Sequence, residues 1–333
     1  MSHDLPASVR AALLDLTAGQ TNLVPGQGAL SEGYRAGRTS AQTVRGAGDV
    51  AAYLLARLPA TYAAVHRVLC ELQEAMPEFA PRTLADVGCG PGTAALAALT
   101  CFDDLASIRG VDANPAFLDV APRLLAASGL ASGVAFEVVK ADFRSYAAGP
   151  VLPDLTIAAY ALVEGSESEA GAMACRLFAA TAGVLVLVEP GSRAGFARIL
   201  AARTALVAAG AQIVGPCTHA GACPMDDPDW CHFAVRLARS REHRRIKQGD
   251  APFEDEKFSY LIAGRAERPA SGAARIIAPA YHGKGGSQFR VCGAAGLEAK
   301  TLRARDVAHK TRRKLDWGDL FPLSDVSGRS EPV

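Results

Sequence analysis

The stretch TLADVGCGPG, from Thr83 to Gly92, constrains the fold of this 333-residue chain more than any other. It is an apolar run that ends in three alternating glycines, Gly88, Gly90 and Gly92, and small residues follow from Thr93 to Leu99. The pattern predicts a buried β-strand, a tight turn and a helix. Glycine lets the backbone turn sharply and approach a ligand, beside the free N–H groups of a helix N-terminus. The stretch therefore predicts a nucleotide-binding turn.

The spacing of the glycines narrows the class of ligand. Dinucleotide-binding turns read G-x-G-x-x-G, whereas Thr93 occupies the position of the last glycine here, which disfavours NAD. Asp86 lies just before the glycines, and Asp112 ends the next apolar segment about 20 residues after Gly92, where an acid that binds a ribose diol is expected. The pattern predicts a cofactor that contains a nucleoside.

Composition and charge limit the classes of protein to which this chain can belong. Half of the residues are hydrophobic, so a chain of this length can bury a full core. The first ten residues contain no apolar signal core, and the uncharged run 204–225 is interrupted by Gly210, Gly215 and Pro216, so neither predicts a membrane segment. We therefore expect a cytoplasmic protein without a membrane partner. In a reducing compartment, its eight cysteines are not expected to form structural disulfides, so clustered cysteines are interpreted first as metal ligands or redox groups.

Charge is distributed unevenly along the chain. Residues 1–200 contain 14 basic and 19 acidic side chains, whereas residues 201–333 contain 21 basic and 15 acidic ones. A basic C-terminal part indicates a polyanionic partner, and scattered solvated charge is the alternative.

Hydrophobic periodicity predicts three regions. Residues 1–80 form an N-terminal helical region, in which Leu58, Tyr62, Val65, Leu69 and Leu72 make a helical stripe. Residues 81–265 alternate strands and helices, which predicts an α/β fold with a parallel sheet covered on both faces. This domain contains a cysteine-rich insertion at 216–250, and residues 266–333 form a basic C-terminal extension. Seven strands are predicted, at 83–88, 107–112, 134–140, 154–159, 183–189, 211–216 and 258–263.

Ligands of such sheets bind beyond the C-terminal ends of the strands. The glycine turn, Asp112 and Asp142 follow the first three predicted strands, and Tyr160 and Glu189-Pro190 follow the next two. We therefore expect these residues to gather at one edge of the sheet.

A long loop before the last strand carries its own chemistry. It reads PCTHAGACPMDDPDWCHF and places Cys217, Cys223 and Cys231 within fifteen residues. Thiolates grouped in this way bind soft or borderline metal ions or iron–sulfur clusters. The alternative is three small buried hydrophobic side chains.

The identity of a fourth ligand separates two metal sites. His219 or His232 would complete a Cys₃His zinc site, whereas an iron–sulfur cluster usually takes a fourth thiolate, for which Cys292 in QFRVCG is the candidate. A structural metal bound by Cys292 would attach the C-terminal extension to the sheet domain. Core positions are predicted for the remaining cysteines, Cys70, Cys89, Cys101 and Cys175.

Two basic segments lie beside the cysteine-rich loop and near the C-terminus. HFAVRLARSREHRRIK is predicted to be a helix, and KTLRARDVAHKTRRKLDWGD repeats its basic character. Together they predict a phosphate-backbone contact surface, most consistent with structured RNA, with solvated helix faces as the alternative. The RNA-binding residues predicted within these segments are Arg236, Arg239, Arg244, Arg245, Lys247, Lys310, Arg312 and Arg313.

The glycine turn resembles that of class I S-adenosylmethionine-dependent methyltransferases, which have a seven-stranded Rossmann-like sheet. The resemblance implies that the turn formed by Gly88, Gly90 and Gly92 holds the methionine part of the cofactor. It also implies that Asp112 binds the ribose and that Asp142 lies near the adenine. We add Asp86 and Tyr160 to this cofactor-binding set because they flank the same predicted edge.

CTHAGACPMDDPDWCHFAVRLARSREHRRIK, followed by DEKFSYLIA, resembles the hallmark of the small-ribosomal-subunit methyltransferase-like family. The similarity extends more loosely across LSEGYRAGR, LPATYAAV, DVGCGPGT, VEPGS and WGDLFP. The resemblance implies that the chain binds S-adenosylmethionine and acts in maturation of the small ribosomal subunit. It also implies that the partner is this subunit with its rRNA, and no DNA partner is expected. It also implies a [4Fe–4S] cluster whose ligands are Cys217, Cys223, Cys231 and Cys292.

One segment departs from common methyltransferase patterns. After the fourth strand, amino-directed enzymes tend to carry (Asn/Asp)-Pro-Pro-aromatic and cytosine-C5 enzymes need a nucleophilic cysteine, whereas this chain has AAYALVEG. The sequence therefore identifies no catalytic residue. Two functions remain open: an RNA methyltransferase, or a non-catalytic RNA-binding ribosome assembly factor with a structural cluster or zinc.

Overall fold

The computed structural model describes residues 2–20, 40–267 and 272–323, together with Leu23 and Gly28. The segment LSEGYRAGR and residues 324–333 lie outside this description. Helices α1 (Ala7–Leu16), α2 (Ser40–Thr43), α3 (Ala47–Ala56) and α4 (Leu58–Ala75) form the N-terminal region. None of the helices described here is long and apolar enough to span a membrane.

Helix α4 presents the predicted hydrophobic stripe. Leu58, Tyr62, Val65, Leu69 and Leu72 are all fully or almost fully buried, because this face packs against the first helix of the α/β domain and its last strand. The predicted stripe is confirmed, and it attaches the N-terminal helices to the rest of the fold.

The α/β domain is built around one twisted sheet. Its strands are β1 (Thr83–Val87), β2 (Ser107–Asp112), β3 (Ala135–Lys140), β4 (Leu155–Ala159), β5 (Val184–Pro190), β6 (Gln212–Gly215), β7 (Phe233–Ala238) and β8 (Phe253–Gly264). The order is β3-β2-β1-β4-β5-β8-β6, with β7 paired to β8. Strands β1 to β5 are parallel, and β8 runs antiparallel to β5, β6 and β7.

Helices cover both faces of this sheet, as the sequence predicts. They are α5 (Thr93–Cys101), α6 (Pro115–Ser128), α7 (Glu167–Ala179) and α8 (Arg193–Ala208). Val184, Val186 and Val188 of β5 face the core shared with α4, α5 and α6, whereas Leu185 and Leu187 face the core shared with α7 and α8. A strand buried on both faces reads as a continuous apolar run, which explains why it was recognisable. The predicted Rossmann-like α/β fold with a parallel sheet is present.

Two predictions for the segment after Cys231 are wrong. Residues 233–238 form strand β7 rather than a helix, and only α9 (Arg241–Lys247) is helical. Phe233, Val235 and Leu237 are buried on one face, which is the two-residue period of a strand. The sheet therefore has eight strands among the described residues rather than seven. Strand β8 begins at residue 253 because its first half pairs with β7.

The C-terminal part contains a second, antiparallel sheet. Its strands are β9 (Ala273–Ile276), β10 (Tyr281–Gly283), β11 (Gly286–Gly293), β12 (Gly296–Arg303) and β13 (Leu320–Pro322), and helix α10 (Val307–Arg312) follows β12. The order is β10-β11-β9-β13, with β12 paired to β11. A small core of its own contains Ile276, Phe289, Val291, Leu302 and Phe321.

Candidate functional site

The turn after β1 has the backbone geometry that its glycines predict. Gly88, Gly90 and Gly92 have φ angles of +74°, +53° and +83°, in the left-handed region that favours glycine. A Cβ at Gly88 would lie 2.7 Å from the Cβ of Ala161, and a Cβ at Gly92 would lie 2.7 Å from Cδ1 of Leu125. A Cβ at Gly90 would meet the Phe117 ring alone, at 3.8 Å, among the described residues. Packing therefore requires glycine at positions 88 and 92, whereas the space beside Gly90 leaves room for a ligand to approach.

The two acids beside the turn hold its backbone. Asp86 is 1 % exposed, and its Oδ2 accepts a hydrogen bond from the N–H of Ala95 in α5 at 3.0 Å. Asp112 Oδ2 accepts from the N–H of Gly90 at 2.8 Å, and Oδ1 accepts from the N–H of Asn114 at 2.7 Å. Burial raises the pKa of Asp86 to about 7 and also raises the pKa of Asp112. Asp112 therefore ties the end of β2 directly to the glycine turn.

N-terminal residues cover this edge of the sheet. The side chain of Asn114, which caps α6 through Ala116, also donates a hydrogen bond to the carbonyl of Val44 at 3.2 Å. Tyr53 of α3 packs on Phe117 with ring centroids 4.8 Å apart. The region before β1 thus contacts the elements that carry the glycine turn and Asp112.

Asp142 and Tyr160 occupy different environments. Asp142 follows β3, is half-buried and forms an ion pair with Arg144, which lowers the pKa of its carboxyl. Tyr160 follows β4 with a φ of +56°, an uncommon value for a residue with a side chain. Its hydroxyl donates to Glu256 Oε1 at 2.8 Å, and the Arg57 guanidinium lies 4.7 Å from its ring centroid.

Arg57 also pairs with Glu256 at 2.9 Å, so Arg57, Tyr160 and Glu256 form one closed cluster. Burial is the main cause that raises the pKa of Tyr160 well above its usual value. The cluster joins the junction between α3 and α4, the end of β4 and β8, three parts of the chain that are distant in sequence. Sequence reasoning predicted the position of Tyr160 at the edge but neither of its partners.

Glu189 is a buried acid at the end of β5. It is 0 % exposed, its Oε1 accepts from the N–H of Leu162 at 2.9 Å, and its Oε2 has no hydrogen-bond partner among the described residues. Burial raises its pKa to about 8, although Arg198 acts in the opposite direction. The sequence identified Glu189-Pro190 as a post-strand segment, and the unusual signal was an acid inside the apolar run VLVLVEP.

The strand order brings the predicted cofactor residues to one edge. Strands β3, β2, β1, β4 and β5 are successive neighbours, and all five are parallel. Asp142, Asp112, the glycine turn, Tyr160 and Glu189 therefore follow one another along the C-terminal edge of the sheet.

All four cysteines predicted to bind a metal line one pocket. Its volume is about 500 Å³, including its solvent-facing mouth. Cys217, Cys223 and Cys231 come from the loop between β6 and β7, and Cys292 comes from β11. The remaining wall is mainly apolar, with Phe196, Ile199, Met225, Leu261 and Ile277.

The distances between the ligand atoms of this pocket help to distinguish a single zinc ion from a larger metal cluster. Within the described residues, no three cysteine or histidine ligand atoms of this pocket lie within 4.8 Å of one another. A tetrahedral zinc ion with Zn–S bonds of about 2.3 Å requires sulfurs roughly 3.8 Å apart. No three of the described ligand atoms in the pocket therefore stand at the mutual spacing that a single zinc ion requires.

The two histidines considered as zinc ligands differ in position. His219 lines the pocket, with Nε2 3.8 Å from Cys292 Sγ. His232 stacks on Trp230 at 5.1 Å and contacts Trp317 edge-on at 5.0 Å, and it is not among the residues that line the pocket.

Buried arginines supply positive charge beside the thiols. Arg203 is 5 % exposed and donates to the carbonyls of His219 and Gly221, each at 2.8 Å. Burial raises the pKa of Cys217, whereas Arg203 lowers it. Burial also raises the pKa of Cys292 to about 12, so its thiol keeps its proton until a cation displaces it. The sequence pattern did not identify Arg203.

The predicted RNA-binding residues divide into two groups. Arg236 pairs with Asp255, Arg239 and Lys247 pair with Glu254, and Arg312 lies 5.3 Å from the Phe321 ring centroid. The second group is Arg244 and Arg245 on α9 with Lys310 and Arg313 at and after α10, and all four are exposed, as is Arg236 of the first group.

The sequence matches the family described as "Mitochondrial small ribosomal subunit Rsm22" over residues 47–322. The human "Ribosome assembly protein METTL17, mitochondrial" is 29 % identical over 292 residues, which cover 81 % of this chain and 62 % of that protein. "Rsm22-cox11 tandem protein 2, mitochondrial" of Schizosaccharomyces pombe is 26 % identical, with coverage of 85 % and 44 %. The chain thus spans less than two thirds of the length of either relative.

Among solved structures, the chain resembles magnesium protoporphyrin IX methyltransferase from Synechocystis PCC 6803 with bound SAM. The TM-score is 0.41 at 18 % identity, and the match covers 78 % of this chain and 92 % of that one. The family match extends across most of the chain, including the glycine turn, all four pocket cysteines and α9. The resemblance to the small-ribosomal-subunit family is confirmed, and the chain belongs to the Rsm22 family.

Proposed function

We propose that the chain binds S-adenosylmethionine at the glycine turn and acts on the rRNA of the small ribosomal subunit during its maturation. The observation that carries the cofactor assignment is the left-handed turn of Gly88, Gly90 and Gly92, joined to the end of β2 by the Asp112–Gly90 hydrogen bond. Membership of the Rsm22 family and the ribosome assembly role in the name of the human relative support the ribosomal assignment.

The residues at the edge of the sheet suit this cofactor. Gly90 has no side chain and leaves room for the methionine part, Asp112 offers carboxylate oxygens to ribose hydroxyls, and Asp142 lies on the side assigned to adenine. When bound, S-adenosylmethionine supplies an electrophilic methyl group. The protein would position the acceptor, because proximity and orientation supply much of the rate of such a transfer.

We also propose that Cys217, Cys223, Cys231 and Cys292 bind a [4Fe–4S] cluster. Four thiols line one apolar pocket in which no three of the described ligand atoms meet the spacing of a single zinc ion, and Arg203 and Arg275 offset negative charge there. Because Cys292 belongs to the second sheet, the cluster would bind the C-terminal extension to the α/β domain. A zinc ion bound by the three loop cysteines and His219 is the alternative.

A specific observation favours a non-catalytic role as the second candidate function. The segment after β4, where catalytic residues are expected, holds Tyr160 in the closed cluster with Arg57 and Glu256. The tyrosine hydroxyl is thus already used as a donor, and we assign no general base or nucleophile at this point. In this function, the protein binds rRNA and assists assembly without methylating it.

One substitution separates the two functions. Gly90→Arg places a long cationic side chain in the turn. Gly129→Arg is a matched control, because Gly129 also has a positive φ, of +71°, and a Cβ there would meet no atom of the described residues within 4 Å. Cofactor binding, methyl incorporation into rRNA and small-subunit maturation are measured for each correctly folded variant. A methyltransferase loses all three with Gly90→Arg alone. Loss of cofactor binding with normal maturation would rule out the catalytic function.

A further inference from the structure

A second group of metal-binding side chains lies outside the cysteine pocket. His66 and Cys70 are one helical turn apart on α4, and His3 approaches them from the N-terminal segment. The Nδ1 atoms of His3 and His66 are 2.9 Å apart, and Cys70 Sγ lies 3.7 Å from His66 Nδ1. All three ligand atoms lie within 4.8 Å of one another, which no other His, Cys, Asp or Glu trio of the described residues achieves.

Cys101 provides a fourth potential ligand. It is the last residue of α5, which packs along α4, and its thiol neighbours that of Cys70 but lies outside the trio whose ligand atoms are all within 4.8 Å of one another. The group therefore contains two imidazoles and two thiols from three separate segments of the chain.

We propose that His3, His66 and Cys70 bind a structural zinc ion, and that Cys101 moves onto the ion as its fourth ligand. Cys₂His₂ is a common ligand set of structural zinc, and bonds of about 2.0–2.3 Å place tetrahedral ligands roughly 3.3–3.8 Å apart. The observed separations of 2.9 and 3.7 Å are close to this range, and the trio meets a mutual spacing that no three described ligand atoms of the cysteine pocket meet. The two sites thus differ in spacing, and this one matches a single ion.

The surroundings suit a fixed ion rather than an exchangeable one. His66 is 9 % and Cys70 is 6 % exposed. Tyr62 stacks on the His66 ring with centroids 5.5 Å apart and an interplanar angle of 18°, which holds the imidazole in place.

A zinc ion here would join the N-terminal segment to α4 and α5. Asp4, next to His3, accepts a hydrogen bond from the N–H of Ala238 in β7 at 3.0 Å, so the segment is already held from the other side. Helix α5 begins directly after Gly92, so its far end would be anchored by the metal while its first turn supports the glycine turn. The site is independent of the proposed function.

Metal analysis of full-length protein tests the site. The chain is purified without oxygen and incubated with one equivalent of Zn²⁺, and zinc and iron are then quantified for the wild type and for His3→Ala, Cys70→Ser, Cys175→Ser and Cys292→Ser. We expect one zinc ion per chain in the wild type, in the Cys175→Ser control and in Cys292→Ser, and its loss in Cys70→Ser. Cys292→Ser separates this zinc from a metal bound through Cys292, and loss of zinc in Cys70→Ser separates it from a zinc ion held by the three loop cysteines and His219.

His3→Ala keeps the test decisive if Cys70→Ser fails to fold, because His3 is only half-buried. In a chelator competition, we expect its zinc affinity to fall by more than the ~10–100-fold that loss of an orienting group costs. Three results would each overturn the proposal. The first is unchanged zinc affinity in His3→Ala, and the second is equal zinc content in Cys70→Ser and the wild type. The third is a wild type that binds no zinc and contains a Cys70–Cys101 disulfide.

Discussion

Cys292 on β11 pairs directly with Arg275 on β9, and Arg275 forms a buried ion pair with Glu71 on α4. Arg275 also donates to the carbonyls of Pro216 and Gly318, and Tyr260 donates its hydroxyl to the same glutamate. One arginine therefore connects the second sheet, the beginning of the cysteine-rich loop and the N-terminal helices.

Arg275→Ala is expected to destabilise the protein by roughly 3–5 kcal/mol, because it leaves the Glu71 carboxylate buried without its cationic partner. The free energy of unfolding in urea measures this change. Arg123→Ala is the control, since Arg123 pairs with Asp119 in an exposed i,i+4 arrangement that contributes about 0.3–0.5 kcal/mol. Equal effects of the two substitutions would show that the Glu71–Arg275 pair is not a structural connection.

Cys292→Ser is expected to abolish the proposed cluster. Protein purified without oxygen should show broad visible absorbance and about four irons and four sulfides per chain, and both should be lost in the variant. Cys175→Ser, on α7 and outside the pocket, should retain them. A colourless wild type with one zinc ion that is indifferent to Cys292→Ser would instead identify a Cys₃His site within the loop.

Glu189→Gln should change the pH dependence of stability. Burial raises the pKa of Glu189 from about 4.5 to about 8, so the folded state holds a proton that the unfolded state releases within this window. Its contribution to stability is therefore fully present below pH 4.5 and is lost as the pH rises toward 8, at no more than about 1.4 kcal/mol per pH unit.

The variant should lack this decline, because glutamine stays neutral and its carbonyl can still accept from the N–H of Leu162. Unfolding free energies of both proteins between about pH 4.5 and 8.5 check the difference. The pKa of Asp86 is raised in the same direction, but Asp86 is present in both proteins, so its effect on the pH dependence of stability cancels in the comparison. Parallel curves would mean that Glu189 does not titrate in this window.

The double reversal Arg244→Glu/Arg245→Glu should weaken binding to small-subunit rRNA. Both side chains are exposed on α9, whereas their basic neighbours Arg239 and Lys247 already pair with Glu254. The slope of log affinity against log salt concentration should fall by about 0.7–0.9 for each phosphate that the variant no longer neutralises.

The matched control for this reversal is Arg82→Glu/Arg123→Glu, which makes the same charge change at two other exposed positions. Its salt slope should equal that of the wild type. If both double variants have the same slope, α9 is not part of the RNA contact surface.

Local patterns predicted the parts of the fold that depend on neighbours in sequence. The glycine turn and the apolar strand β5 were recognisable because backbone freedom and two-sided burial leave direct traces in composition. Strand β7 was missed because its alternating apolar residues lie among arginines, and its identity depends on pairing with β8.

The same reason explains what was missed at the candidate site. Arg57 and Glu256 are 199 residues apart in sequence, and only the folded chain brings them to Tyr160. Glu254 neutralises cations that the sequence counted as available for phosphate. Charge balance across strands is a long-range property, so counting basic residues in one segment overestimated the free positive surface.

The length of β8 has a consequence for how the proposed sites influence one another. Its first half pairs with β7, which leads to the exposed arginines of α9, and its Ser259 donates to the carbonyl of Cys231 and pairs with Glu189 at the cofactor edge. A substitution that displaces this single strand would therefore disturb the backbone at Cys231, the neighbour of Glu189 and the strand that leads to α9 together.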